Sequence, residues 1–243
     1  MLKQVQHDRV IERNQRMRTL IYIPIIHTSA DLGSLAKDVA KRGIAGVGQE
    51  VWNEHQKTVE GFWDVILHYF NSIDELGLKI YQDGMVADGE IGAKIVEEGV
   101  RSGSKNYELI AKLIKGGAVL FKTEDFSLVK EERDRLLAII GAKSVRQKLI
   151  AFAKYKFIKN RLLNKRDKFI AQRINETLKE GKRGIIFIGA FHNLKRWLPR
   201  DIQIKEIKDV RKVREYHYLL TIYPKHRERF EELGRYLISK VES

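Results

Sequence analysis

Five positions in this sequence carry polar side chains just after short apolar runs, and all are residue types that move protons or bind metal ions. His27 follows LIYIPII, Glu50 follows IAGVGQ and Asp83 follows LKIYQ; Glu124 with Asp125 comes after AVLFK and His192 after GIIFIGAF. If the runs are parallel strands, these groups gather at one edge of a sheet, where open α/β folds bind their ligands. Two imidazoles among carboxylates suit general acid–base catalysis. His27, Glu50 and His192 also suit a nitrogen and oxygen site for a divalent metal ion. The chain has no cysteine, which excludes thiolate ligands and a cysteine nucleophile. Asp83 before Gly84 fits a turn as well as chemistry, and Glu124 and Asp125 fit a helix cap. The two histidines stand after longer apolar runs and are the sharper candidates.

The elements that must position these groups alternate along the chain. Residues 1–19 read as a polar N-terminal arm. Near-continuous apolar runs at 20–26, 44–49, 78–82, 118–122 and 184–191 read as strands buried on both faces. Pro24 argues against a fully paired central place for the first of them. Helices are expected from the caps at 28–31 to about Arg42, from Val51 to about Leu76 and from Asp88 to Arg101. Further helices are expected from Ser104 to Ile114, over 127–140 and over 144–180. His55 lies about one helical turn beyond Glu50. At the end, 201–207 and 215–223 alternate like half-exposed strands and suggest an antiparallel pair. Pro224 then opens a last helix. The whole reads as one α/β domain over 1–243, with a mostly parallel central sheet flanked by helices. Residues 84–180 form a largely helical middle with one strand near 118–122.

Two more residues join the candidates from the long helix. Arg166 could hold a carboxylate or an oxyanion with its planar fork, and Asp167 sits beside it. Arg173, seven residues on, falls on the same side. The segment RDKFIAQRINETLKEGKRGIIFIGAFHN (166–193) resembles the C-terminal motif of the TraB/TIKI and erythromycin esterase/ChaN-like superfamily, with Gly189 and His192 matching its Gly-x-x-His. IPIIHTSAD (23–31) and GVGQEVW (46–52) are similar to the N-terminal motif, His27 and Glu50 matching while Pro24 stands where the pattern has glycine. The resemblance covers about 30 residues at each end of the core; 77–150 aligns with no member. It implies a shared site of His27, Glu50, Arg166, Asp167 and His192. The superfamily includes metal-dependent peptidases, esterases and a haem-binding protein, so the fold leaves the activity open. The leading expectation is a hydrolase of a peptide, ester or amide-like bond, metal-dependent or using a His base. Its substrate would be a small, anionic molecule or a peptide. A ligand-binding protein that kept the fold without catalysis is the bland version of the same reading.

Charge supports a second class. The net charge is +14, which favours anionic partners. Between Lys143 and Arg173 there are eleven Lys or Arg and one acid, with Phe152, Tyr155, Phe157 and Phe169 interleaved. Such a helix over 143–173 could track a phosphate backbone, which would make the chain a nucleic-acid or phosphate-ligand binding protein, or it could be a solvated face. No run approaches the ~20 apolar residues of a membrane span, and the first residues lack a signal-peptide core. A cytoplasmic protein without a membrane partner is expected.

Overall fold

The computed structural model describes residues 17–31, 36–73 and 76–241. Five parallel strands form one sheet, in the spatial order Val119–Phe121 (β3), Lys79–Gln82 (β2), Arg183–Gly189 (β4), Arg18–Ile25 (β1) and Ile202–Glu206 (β5). In chain order the elements are β1 (Arg18–Ile25), α1 (Ala36–Val47), α2 (Gln49–Phe70), β2 (Lys79–Gln82), α3 (Gly89–Arg101), α4 (Lys105–Lys115) and β3 (Val119–Phe121). They continue with α5 (Phe126–Ile140), α6 (Val145–Thr177), β4 (Arg183–Gly189), β5 (Ile202–Glu206), α7 (Val210–Thr221) and α8 (Arg227–Ile238). The expected parallel sheet flanked by helices is therefore present. Among the described residues, no helix is long and apolar enough to cross a membrane.

Alternation along the strands splits the core into two layers. Ile21, Ile23, Ile25, Ile80, Ile185 and Phe187 face α2, α4, α7 and α8, meeting Phe62, Trp63, Leu109, Tyr216 and Leu237. Leu20, Tyr22, Ile186 and Ile188 face the other way, onto Ile170, Ala171 and Ile174 of α6. Both faces are covered, which is why the strands read as continuous apolar runs. The chain first moves outward from β1 through β2 to β3 by helices on the α2 face. It then returns to β4 by α6 on the opposite face and goes on to β5. The connections leaving β2 and β4 thus depart on opposite faces in opposite directions. The crevice between these two strands is the switch point of the sheet.

Four expectations need correction or a limit. The run 44–49 is not a strand: Ile44 and Val47 end α1, Gly48 breaks the helix at φ 87°, and Glu50 lies in the first turn of α2. So short an apolar run fits either period, and packing decides it: at Gly43 a Cβ would lie 2.1 Å from the Trp52 ring, so α1 rests directly on the indole. There is no antiparallel pair, because β5 runs parallel to β1 and 215–221 belongs to α7. The buried Val213, Tyr216 and Leu219 are at helical spacing, and Asp209 caps the start by accepting from Arg211 N at 2.7 Å. Pro24 does sit in a central strand, paired with Ile188. Tyr22 O accepts from Ile207 N, so Pro24 faces the same side, beyond the last pairing to β5, and its missing N–H costs no ladder bond. Of the expected arm, residues 1–16 lie outside the described residues, while Arg18 and Thr19 already belong to β1.

At 33 residues, α6 is ~50 Å long, about twice the length of the seven-residue β4. Its second half covers the sheet. Its first half pairs with α5 as a helical hairpin.

Candidate functional site

The switch-point crevice holds a chain of ion pairs. Asp83 directly follows β2, and its N–H donates to Phe187 O at 2.8 Å, which fixes it to β4. Gly84 completes the turn at φ 82°, where a glycine is favoured. On the β4 side, His192 N donates to Gly189 O at 3.0 Å, closing a turn that folds the imidazole back over the strand end. Gly189 N donates to Asp83 Oδ2 at 3.2 Å. A Cβ at Gly189 would sit 3.3 Å from that oxygen and 3.5 Å from His192 Cδ2. The spacing Gly-x-x-His thus has a local cause: the turn supplies the histidine and the glycine admits the carboxylate.

Two consecutive residues of α6 complete the network from the opposite layer. Asp167 is fully buried; its Oδ1 meets His192 Nδ1 at 2.6 Å and its Oδ2 accepts from Asn193 N at 2.9 Å. His192 Nε2 lies 3.3 Å from Asp83 Oδ2. Arg166 donates from Nη2 to Asp83 Oδ1 at 2.9 Å and to Glu124 Oε1 at 2.6 Å. Its Nε lies 3.0 and 3.1 Å from the two Glu124 oxygens, and Nη1 donates to Glu132 Oε2 at 3.1 Å. Tyr155 Oη donates to the other Glu132 oxygen at 3.1 Å. Glu124 itself is held in place by its N–H on Met85 O at 3.0 Å, which ties the β3 loop to the β2 loop.

Burial and charge pull these groups in opposite directions. For His192, burial alone would lower the pKa, but the Asp167 and Asp83 carboxylates outweigh it and raise it to about 9. For Asp83, burial acts upward, yet His192 and Arg166 hold the carboxyl well below the usual range. Glu124 goes the other way: burial pushes it up, and the Arg166 bonds do not cancel that. Two carboxyls on one guanidinium are thereby driven apart.

The sequence candidates divide. Arg166, Asp167 and His192 come together, with Asp83 and Glu124 from the same row. Asp125 instead caps α5 at the surface, its Oδ1 accepting from Ser127 N at 2.8 Å. Arg173 sits further along α6, bound to Lys122 O, Asp88 and Glu176. Glu50 is exposed and within electrostatic reach of Arg227 at the start of α8, away from the crevice. His27 is on the correct edge, two residues past the Ile25–Gly189 pairing. It is exposed, however, and lines a separate cavity of about 550 Å³ between α1, α2 and α7. Both His192 nitrogens face carboxylates. Among the described residues, no group of three His, Asp or Glu side chains is arranged to hold a metal ion. Sequence reasoning missed Glu132 and Tyr155, and it missed His217 because 215–223 reads as a strand. Helical spacing from the Asp209 cap was the available signal.

Comparison with known proteins finds no family model, curated sequence or solved structure that matches this chain.

Stability should follow the network. Arg166→Met strands three carboxylates around an apolar side chain and should cost about 3–5 kcal/mol in urea unfolding at neutral pH; a loss under about 1 kcal/mol contradicts the description. The pH dependence has a defined sign. His192 is raised in the folded state, so its contribution is complete below its ordinary pKa of 6.5 and is lost as pH rises through about 9. Asp83 is lowered, so its contribution is present above 3.8 and lost as pH falls below it. Thermal melts should therefore peak at about pH 4 to 6.5 and decline toward about pH 9.5.

Proposed function

We propose that the protein is a hydrolase of an ester, amide or peptide bond, acting at the crevice between β2 and β4. One observation carries the reading: His192, at a sheet switch point, is gripped through Nδ1 by buried Asp167 at 2.6 Å and only loosely through Nε2 by Asp83 at 3.3 Å. Asp167 fixes the tautomer in which Nδ1 keeps its hydrogen and Nε2 acts. When the long contact opens and the imidazolium loses its proton, Nε2 takes a proton from water. The water oxygen bonds to the carbonyl carbon, and the protonated Nε2 then gives its proton to the leaving oxygen or nitrogen as the C–O or C–N bond breaks. Arg166 is a positioning residue that holds Asp83 and Glu124. Separation of carboxyl pKa values within one site is the pattern expected of acid–base chemistry. The superfamily resemblance supports the same reading, since Gly189, His192, Arg166 and Asp167 all meet here. Carboxylates outnumber cations in the crevice, which favours an uncharged scissile group in a small molecule or peptide; the proposed setting is the cytoplasm.

A second reading rests on the α5–α6 hairpin. From Arg135 to Arg166 there are ten Lys or Arg and no acid. Lys148, Lys154, Lys156 and Lys159 are exposed, and Phe157 stands 87% exposed among them. Exposed cations beside aromatic rings suit a single-stranded polyanion.

Each reading has its measurement. With p-nitrophenyl acetate as substrate, kcat/KM should rise with pH through a midpoint near pH 9, where His192 gives up its proton, and level off only above it. Asp167→Asn removes the charge that favours imidazolium and should move the midpoint down toward 6.5, with a plateau lowered by about 10²-fold or more. His192→Gln should abolish turnover; equal rates for this variant and the unaltered protein refute hydrolysis at this site. For the hairpin, affinity for a poly(U) oligonucleotide should fall steeply with salt and be lost in Lys154→Glu/Lys156→Glu/Lys159→Glu. Binding that ignores salt or these changes removes the second reading.

A further inference from the structure

The cavity beside His27 belongs to neither reading. Its floor and walls are Trp52, His55, Val59, His217 and Leu220, with Val39, Val47 and the small residues of α1 opposite. The small residues make the space: α1 approaches the indole closely at Gly43, and at Gly46 an added Cβ would meet nothing within 4 Å. A volume of about 550 Å³ falls within the range of small-molecule sites.

The lining defines the chemistry of an occupant. Arg42 and Glu60 are exposed, as is His27, so the charged groups of the lining stand at its rim. The two inner imidazoles are neutral: burial pushes both His55 and His217 down to about 4, helped by His217 in the first case and His27 in the second. His55 Nδ1 is satisfied by Tyr216 Oη at 3.0 Å. His217 is bound to the Ile25 backbone. A neutral imidazole that donates there keeps a lone pair on its other nitrogen. Such a wall penalises an ion, which would lose its water without gaining a counter-charge. It favours an apolar body, with a hydroxyl or N–H to meet an imidazole nitrogen.

We propose that this cavity is a binding site for an uncharged, mainly aromatic or aliphatic small molecule bearing one hydrogen-bond donor, stacked on Trp52 and facing His217. The site is read by binding and does not depend on hydrolysis. It lies against the 27–31 loop, whose Asp31 accepts from Thr28 N at 2.6 Å. It also touches the 189–192 turn through His217, whose ring centre is 6.1 Å from that of Phe191.

Calorimetry with three naphthalene probes tests the proposal on the intact chain. 2-Naphthol should bind saturably at one site per chain. 2-Naphthalenesulfonate, with the same rings and a fixed negative charge, should bind at least about tenfold more weakly, and 2-methoxynaphthalene, which lacks the donor, should be weakened as well. Gly46→Phe projects a ring into the open space and should weaken 2-naphthol about tenfold or more while the thermal melt stays cooperative. Absent saturable binding, or equal affinity for the sulfonate, overturns the proposal without any variant. Unchanged binding to folded Gly46→Phe overturns the location.

Discussion

Everything at the carboxyl edge depends on one guanidinium. Arg166 contacts Asp83, Glu124 and Glu132 at once, and without it the first two would be buried anions side by side. A lysine could not do this, since it offers one compact charge where three carboxylates need a planar fork with several donors. Because Asp83 is held ionised, it can in turn hold His192 as an imidazolium, and Asp167 from the next position of α6 grips the same ring from behind. The network is therefore a series: each cation stabilises the acid that stabilises the next cation. Buried pairs of this kind contribute little net stability when complete and cost a great deal when one member is removed. Arg18 and Lys208 are buried elsewhere, but the buried acids Glu124 and Asp167 both belong to this network, and their gathering at one place points to a role other than holding the fold.

The topology explains why that place is the β2–β4 crevice. Strands β2 and β4 are neighbours in space but far apart in sequence, and their exit loops leave on opposite faces. The gap lets α6 present Arg166 and Asp167 from one layer while Asp83 and His192 come from the sheet itself. The length of α6 serves two ends. Its apolar second half seals the sheet and carries the network residues, and its basic first half stands outside with α5.

Much of this was legible in the residues. The parallel sheet followed from apolar runs without alternation, and GIIFIGAF with His192 was legible because the glycine-to-histidine spacing has a local geometric cause. Asp83 and Glu124 were visible as strand-end acids, but turn and cap roles explain such residues equally well; only the arrival of Arg166 from across the fold separates them from Asp125. Glu50 was misplaced because six residues of mixed Gly and apolar character fit either period, and the choice was made by Trp52 packing on Gly43. The strand expected at 215–223 failed for a related reason. Aromatic and β-branched residues raised its strand propensity, while burial of Val213, Tyr216 and Leu219 against the sheet set the helical period. The His27 cavity was beyond reach, since it is made by α1 and α7, the two helices that were read as strands in part or whole.

The carboxylates of Asp167 and Asp83 clamp His192 from both ring nitrogens and hold it as an imidazolium. Titration of its ring nitrogens by NMR in ¹⁵N-histidine-labelled protein, assigned by comparison with His192→Gln, tests this clamp most directly. A clamped ring should show a midpoint raised to about 9 and be doubly protonated at neutral pH. A midpoint at or below the ordinary 6.5 would contradict it.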